Sequence, residues 1–282
     1  MEKINLNQEW NFGDSITQTF SFLKQEIKPL LKALCILVLP LLLAEALLEV
    51  TVVRNAEEIF SFSINSRYAT TDVGRSLVTF FFNCLLYFWM ALFGFGYIRV
   101  YLDKYRQGDE TSPKASEVGR VMLRNSGNML LGGIVCFLLV VLGSMFFVLP
   151  GIYLLVALSF TGCFIFFQRK TAFQGISGSM SLTWGRWWEL FGYVILLHFI
   201  VLALSLIFSI PQFILVAKAA ATQEVPNRLL SSFALTLGRV GEFVLQIITV
   251  TGISVRFFSF WEKKEHETLL GKIDRIGEEI KS

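Results

Sequence analysis

The chain has 282 residues, 54% of them hydrophobic and 17% charged, with a mean hydropathy of +0.59 and a net charge of +3. Soluble domains carry roughly a quarter charged residues, so this composition excludes an ordinary water-soluble globule. No basic patch interleaved with aromatics stands outside the apolar runs to meet a nucleic acid. The apolar residues gather into six blocks, roughly 31–51, 76–102, 129–149, 151–168, 190–216 and 240–260. Each is close to the ~20 residues that cross about 30 Å of hydrocarbon, where a segment must pair its own backbone polar groups and so reads as a helix.

In chain order, residues 1–28 are polar and mixed in charge, unlike a cleavable signal peptide, so the first span is expected to act as an uncleaved anchor. Within that segment Ile16, Phe20, Leu23 and Ile27 recur at helical spacing behind Asp14, a plausible N-cap. Between the second and third spans, Pro113 to Asn125 forms a similar segment, with Val118, Val121 and Met122 on one face. From Met129 to Gln168 the chain is long enough for two spans, interrupted only by Leu149-Pro150-Gly151-Ile152. Pro150 would preset φ at the second position of a tight turn and Gly151 would supply a positive φ at the third, making a non-cytoplasmic hairpin. Before the fifth span, residues 171–183 place Ala172, Ile176, Met180 and Thr183 on one face, although Gly175 and Gly178 weaken a helix there. After the sixth span the charged tail, 261–282, carries Leu269, Ile273, Ile276 and Ile280 at helical spacing.

These elements predict an all-α integral membrane protein. Six transmembrane helices would form three hairpins, each preceded by a short cytoplasmic amphipathic helix. The whole would be one polytopic domain: an N-terminal segment (1–28), a bundle (29–260) and a tail helix (261–282). Of the 25 Lys and Arg residues, nineteen fall on the side of both termini, five on the other, and Arg239 lies near a span end. That bias puts both termini in the cytoplasm. Trp184, Trp187, Trp188 and Trp261 stand where an interfacial aromatic belt would.

Little here speaks for catalysis. The histidines are His198, within the fifth block, and His266, in the tail. Cys35, Cys84, Cys136 and Cys163 are scattered through the blocks as small apolar packing residues rather than a disulfide or metal set. The sequence therefore implies no catalytic residue, no cofactor and no metal. Arg99 and Arg256 lie near span ends and are expected to snorkel. The polar residues best placed to form an intramembrane cluster are Glu45, Glu242, Gln246, Arg239 and His198. Arg239 and Glu242 share a helix face three residues apart. The partners expected are the lipid bilayer and a protein bound through the cytoplasmic helices or tail.

The stretches Leu149-Pro150-Gly151-Ile152-Tyr153-Leu154 and Leu158-Ser159-Phe160 are similar to a "PGIYL…LSF" pattern. Ser179 to Gly192 follows S-x-x-L-T-x-G-x-x-W-x-x-F-G, and Phe12-Gly13-Asp14, Phe20, Phe22-Leu23 and Lys28-Pro29 also match. With these motifs the chain resembles the membrane domain attached to some glycerophosphoryl diester phosphodiesterases, and that domain's free-standing six-span bacterial relatives. The tail from Phe258 to Asp274 resembles the Bacteroidetes branch. The resemblance implies a bacterial inner membrane but no activity, because the phosphodiesterase chemistry belongs to a separate soluble domain. The expected role is a non-enzymatic membrane scaffold or accessory protein. The alternative is a transporter or lipid-handling protein with a cavity between the hairpins.

Overall fold

The computed structural model describes residues 4–6, 8–44, 69–222 and 228–281, and these are helical with no strand among them. The helices are α1 (Phe12–Leu37), α2 (Ala69–Arg106), α3 (Ala115–Phe146), α4 (Val148–Ala157), α5 (Thr161–Phe167), α6 (Ala172–Thr183), α7 (Trp187–Thr222) and α8 (Arg228–Lys281). Beyond α1, residues 39–44 are again helical. Five segments are long and apolar enough to cross a membrane: Phe80–Arg106, Ala115–Met145, Val148–Phe167, Trp187–Thr222 and Phe233–His266. They match the second to sixth blocks of the sequence. The block at 31–51 runs beyond the described residues.

Three long helices make the frame. α7 and α8 run antiparallel: Glu189 pairs with Arg256, Leu197 packs on Gly252, and Phe208 packs on Gly241. α2 runs parallel to α8, with Tyr87 against Phe243 and Gly94 against Val250. α1 lies antiparallel to α2, because Phe22 meets Tyr101, Glu26 meets Tyr97, and the Leu37 carbonyl meets Trp89. Charged residues collect at one end of this frame: Arg99, Asp103 and Lys104 on α2, Glu189 on α7, and Arg256 to Lys264 on α8.

α5 does not follow these axes. Phe160, Phe164 and Phe167, spread over two turns, all pack on the single ring of Phe257. A helix lying along α8 would step from one partner to the next, so α5 crosses α8, and it does so at the charged end. Every residue of α5 is buried. α6 folds back beside α5, with Gly175 against the Thr161 carbonyl and Ser179 against Phe160.

Four features depart from the sequence reading. The first two amphipathic segments are not separate helices: α1 passes through Pro29 without a break, and α3 runs as one helix from Ala115. Only the third, α6, is discrete, ended by Gly185 at φ +80°, so the threefold repeat does not hold. The buried face of α6 keeps Ala172, Ile176 and Thr183, as predicted, but widens to Gly175, Ser179 and Leu182 and leaves Met180 39% exposed. The glycines that weaken α6 in isolation let it approach α5, and that packing outweighs propensity. The tail is not a separate element either, because α8 continues from the last apolar block to Lys281.

The fourth departure concerns Pro150 and Gly151. Neither forms the turn. The chain reverses at Phe147, extended at φ −159° and ψ 152°, and both residues lie in the first turns of α4. Gly151 has no positive φ. Its missing side chain serves packing instead: a Cβ there would strike Ser144 Oγ and stand 3.1 Å from the Ser144 Cα. Pro150 fits because a helix start leaves amide N–H groups unpaired, and proline has none to lose. α3 and α4 do form an antiparallel hairpin, with Gly143 opposite Leu154 and Ser144 opposite Gly151.

Candidate functional site

Polar side chains are scarce in the core, and they collect in one layer at the charged end. At its centre is Arg256, 1% exposed and first among the largest fully buried side chains. Its position on α8 aims the guanidinium between α1 and α7. Nη1 donates to the Trp10 carbonyl at 3.1 Å and to Ser15 Oγ at 3.1 Å, and Nη2 pairs with Glu189. The rings of Phe260 and Tyr193 lie 4.7 and 5.5 Å from Cζ, within the range in which an aromatic face stabilises a cation. Nε has no acceptor among the described residues. Glu189 is 42% exposed, so the pair joins a dry cation to a carboxylate still in contact with solvent.

Around this centre the N-terminal segment is clasped to α8. Ser259 Oγ donates to the Trp10 carbonyl at 2.9 Å and accepts from the Trp10 N–H at 3.0 Å. Tyr193 donates to the Gly252 carbonyl and lies 3.4 Å from Thr19 Oγ1. On the α2 side, Tyr97 donates to the buried Glu26 carboxylate at 2.7 Å, and Tyr101 donates to the Ile4 carbonyl at 3.1 Å. Arg99 bridges Asp103, one turn ahead on α2, and the Phe167 carbonyl that closes α5. Each buried charge in the layer thus has a partner, as buried charges require.

The break between α4 and α5 has its own device. Residues 158–160 leave the helix, which frees backbone groups inside the protein. Ser179, fully buried on α6, accepts from the Phe160 N–H at 3.1 Å and donates to the Ala157 carbonyl at 2.7 Å. Irregular backbone at membrane depth is tolerated where it is buried in protein and its groups are paired. The Leu158, Ser159 and Thr161 amides pair within the turn itself, and the Ser179 hydroxyl pairs the Phe160 N–H and the Ala157 carbonyl.

Among the described residues the predicted cluster is divided, with His198 apart from Arg239, Glu242 and Gln246 on α8. Glu45 lies outside the described residues. Glu242 is exposed and accepts a hydrogen bond from Tyr87 at 2.7 Å. Gln246, one turn on, and Arg239 are half-buried. His198 is exposed, with Nδ1 2.8 Å from the Val194 carbonyl of its own helix. The α7 residue level with Gly241 is Phe208, ten positions from His198, about 15 Å along a helix. His198 therefore does not join Glu242. Conversely, Arg99 and Arg256 do not snorkel: they are 7% and 1% exposed. The four cysteines are free, and among the described residues no three His, Cys, Asp or Glu side chains gather to hold a metal.

Residues 27–260 match the family described as "Domain of unknown function (DUF7847)". The chain belongs to that family. The match takes in α1 from Ile27 to the Phe260 ring beside Arg256, and so includes Glu189, Arg99 and the Ser179 latch, while Trp10 and Ser15 lie before it. No curated protein and no solved structure matched the chain. As a DUF7847 protein, it combines several membrane-length apolar helices with one buried polar layer.

Proposed function

We propose that this DUF7847 protein is a non-enzymatic scaffold or accessory protein of the bacterial inner membrane, with both termini and the charged end of the bundle in the cytoplasm. The observation that carries this reading is the Arg256 layer. Its hydrogen bonds join the N-terminal segment, α1, α7 and α8 to one another, which suits a part that holds a shape. The exposed surface beside it presents Trp184 and Trp188, at 79% and 77%, next to the long α8 tail. The charge bias supports the orientation, and the resemblance to phosphodiesterase-linked membrane domains supports a partnering role.

One observation favours the alternative, a lipid-handling protein. An open apolar groove lined by Leu37, Pro40, Leu41, Leu85 and Trp89 separates the end of α1 from α2 and has the character of an acyl-chain site. The two readings separate in purified protein reconstituted into phosphatidylcholine–phosphatidylglycerol vesicles with a fluorescent lipid. A scaffold leaves dithionite quenching of the inner leaflet at the protein-free level. Accelerated quenching, abolished by Leu41→Trp in the groove, establishes lipid handling and removes the scaffold reading.

A further inference from the structure

The α3–α4 hairpin is long and apolar enough to suggest two full spans, yet its place in the fold does not allow them. From Met129 to Gln168 there is no charged residue. The tip is apolar and uncovered: Met145, Phe147, Val148 and Leu149 are 69–78% exposed. Such a surface belongs in hydrocarbon. Its depth follows from what holds its base. α5 lies at the charged end at both of its own ends, with Phe160 against Phe260 and the Phe167 carbonyl on Arg99. α4 starts its reach from that level and has only ten residues, about 15 Å, against a hydrocarbon core of about 30 Å.

A second contact sets a shallower limit. Trp187 Nε1, at the start of α7, donates to the Tyr153 carbonyl at 3.1 Å, and the two rings stack at 5.5 Å. Residue 153 is therefore level with the charged end, where Arg186 precedes α7 and Glu189 lies in its first turn. Only six residues separate it from Phe147, about 9 Å of helix. The tip is also suited to rest where water is absent. Ser144 Oγ turns back to the Val140 carbonyl at 2.8 Å, and Pro150 removes one of the donors that a helix start leaves unpaired.

We propose that α3–α4 is a re-entrant hairpin whose partner is the acyl-chain region of a single leaflet. It enters and leaves from the side of the charged end, and its tip stops in the hydrocarbon. The described helices that cross are then α2, α7 and α8, and the segment from 103 to 186 has both ends on one side.

This rests on the membrane embedding proposed above, and the test separates the two. Phe147→Cys and Leu149→Cys are placed singly in a chain with Cys35, Cys84 and Cys136 changed to Ala and the buried Cys163 kept. Lys114→Cys serves as the aqueous reference. Each protein is reconstituted into phosphatidylcholine–phosphatidylglycerol vesicles and checked for a native melting transition. Alkaline carbonate must leave the protein in the vesicles; release overturns the embedding and the hairpin with it. A membrane-impermeant maleimide should label Lys114→Cys from one side. It should label neither tip residue from either side until detergent is added. Spin labels at both tip residues should collide with oxygen more than with a water-soluble nickel chelate, reporting a depth within the hydrocarbon of the near leaflet. Maleimide labelling of the tip from the side opposite Lys114 would show a full transmembrane hairpin, and labelling from the Lys114 side would show a hairpin outside the bilayer. Either result overturns the proposal.

Discussion

At the residue scale, the decisive side chain is an arginine whose position in the sequence suggests the opposite of its environment. Arg256 stands near the end of an apolar block, where a long cation can reach water, and Arg99 does the same on α2. Sequence shows how far along a helix a residue sits; which neighbours its face meets depends on how the helices pack. The polar partners were visible one by one, as Glu189, Ser15 and Tyr193, but they come from two segments, α1 and α7, both distant in sequence from Arg256. Their meeting has no local signature. Glu189→Gln should therefore lower thermal stability in detergent by roughly 1–3 kcal/mol. That is less than the ~3–5 of a fully buried pair, because Glu189 keeps contact with solvent. Glu242→Gln, at an exposed carboxylate, should leave the melting temperature within error. Equal losses in the two variants would remove the central role given to Arg256. A second residue-scale test concerns the α2–α3 connection. Asp109 accepts from the Thr111 N–H at 2.9 Å and the Thr111 hydroxyl at 2.9 Å, with Lys104 3.5 Å away. The Thr111 N–H and then its hydroxyl hold the Asp109 carboxyl below the usual carboxylate range. A depressed folded-state pKa stabilises the loop above the unfolded value, near 4, and that help is lost as pH falls through the folded value. Protease cleavage between 107 and 113 should be slow at neutral pH and speed up only in strong acid. Asp109→Asn should make it fast at neutral pH.

At the element scale, the apolar blocks marked where helices lie, but not where they break or join. The break at Leu158-Ser159-Phe160 contains neither proline nor glycine, and it exists because Ser179 on another helix pairs the freed groups. The joins at Pro29 and at Ser126-Gly127-Asn128 went the other way: α1 and α3 each run through as one helix. Pro150-Gly151 is the instructive case. The dipeptide does mark a reversal of the chain, but the reversal happens at Phe147 and the glycine answers to Ser144. This gives a test with opposite outcomes. Gly151→Ala should destabilise the protein although alanine favours a helix, and Ser144→Gly in the same chain should recover part of the loss by opening the contact. A strained turn at Gly151 would instead predict no recovery. Thermal melts of the two single variants and the double variant decide it.

At the scale of the whole molecule, the class of fold was readable from composition and block length alone, because hydrocarbon leaves few choices for a backbone. The layering was not, because the crossing of α5 over α8 depends on aromatic packing between Phe160, Phe164, Phe167 and Phe257 that no periodicity announces. The clasp between the two ends of the chain has a consequence in time. Trp10 and Ser259 are 249 positions apart, and Ser15 and Arg256 are 241 apart. While the chain is being made, its first helix can pack on α2 early, through Glu26, Phe22 and Leu37, but its clasp to α8 cannot close until α8 has followed. The Trp10–Ser259 clasp thus closes late, and only a chain translated past Ser259 can close it. In cells, a chain stopped after Val255 should be degraded quickly by membrane proteases, whereas one stopped after Lys264 should persist, as pulse-chase decay would measure. Equal lifetimes would separate the clasp from quality control. Unequal ones would make this layer the point at which the cell can tell a finished copy from an unfinished one.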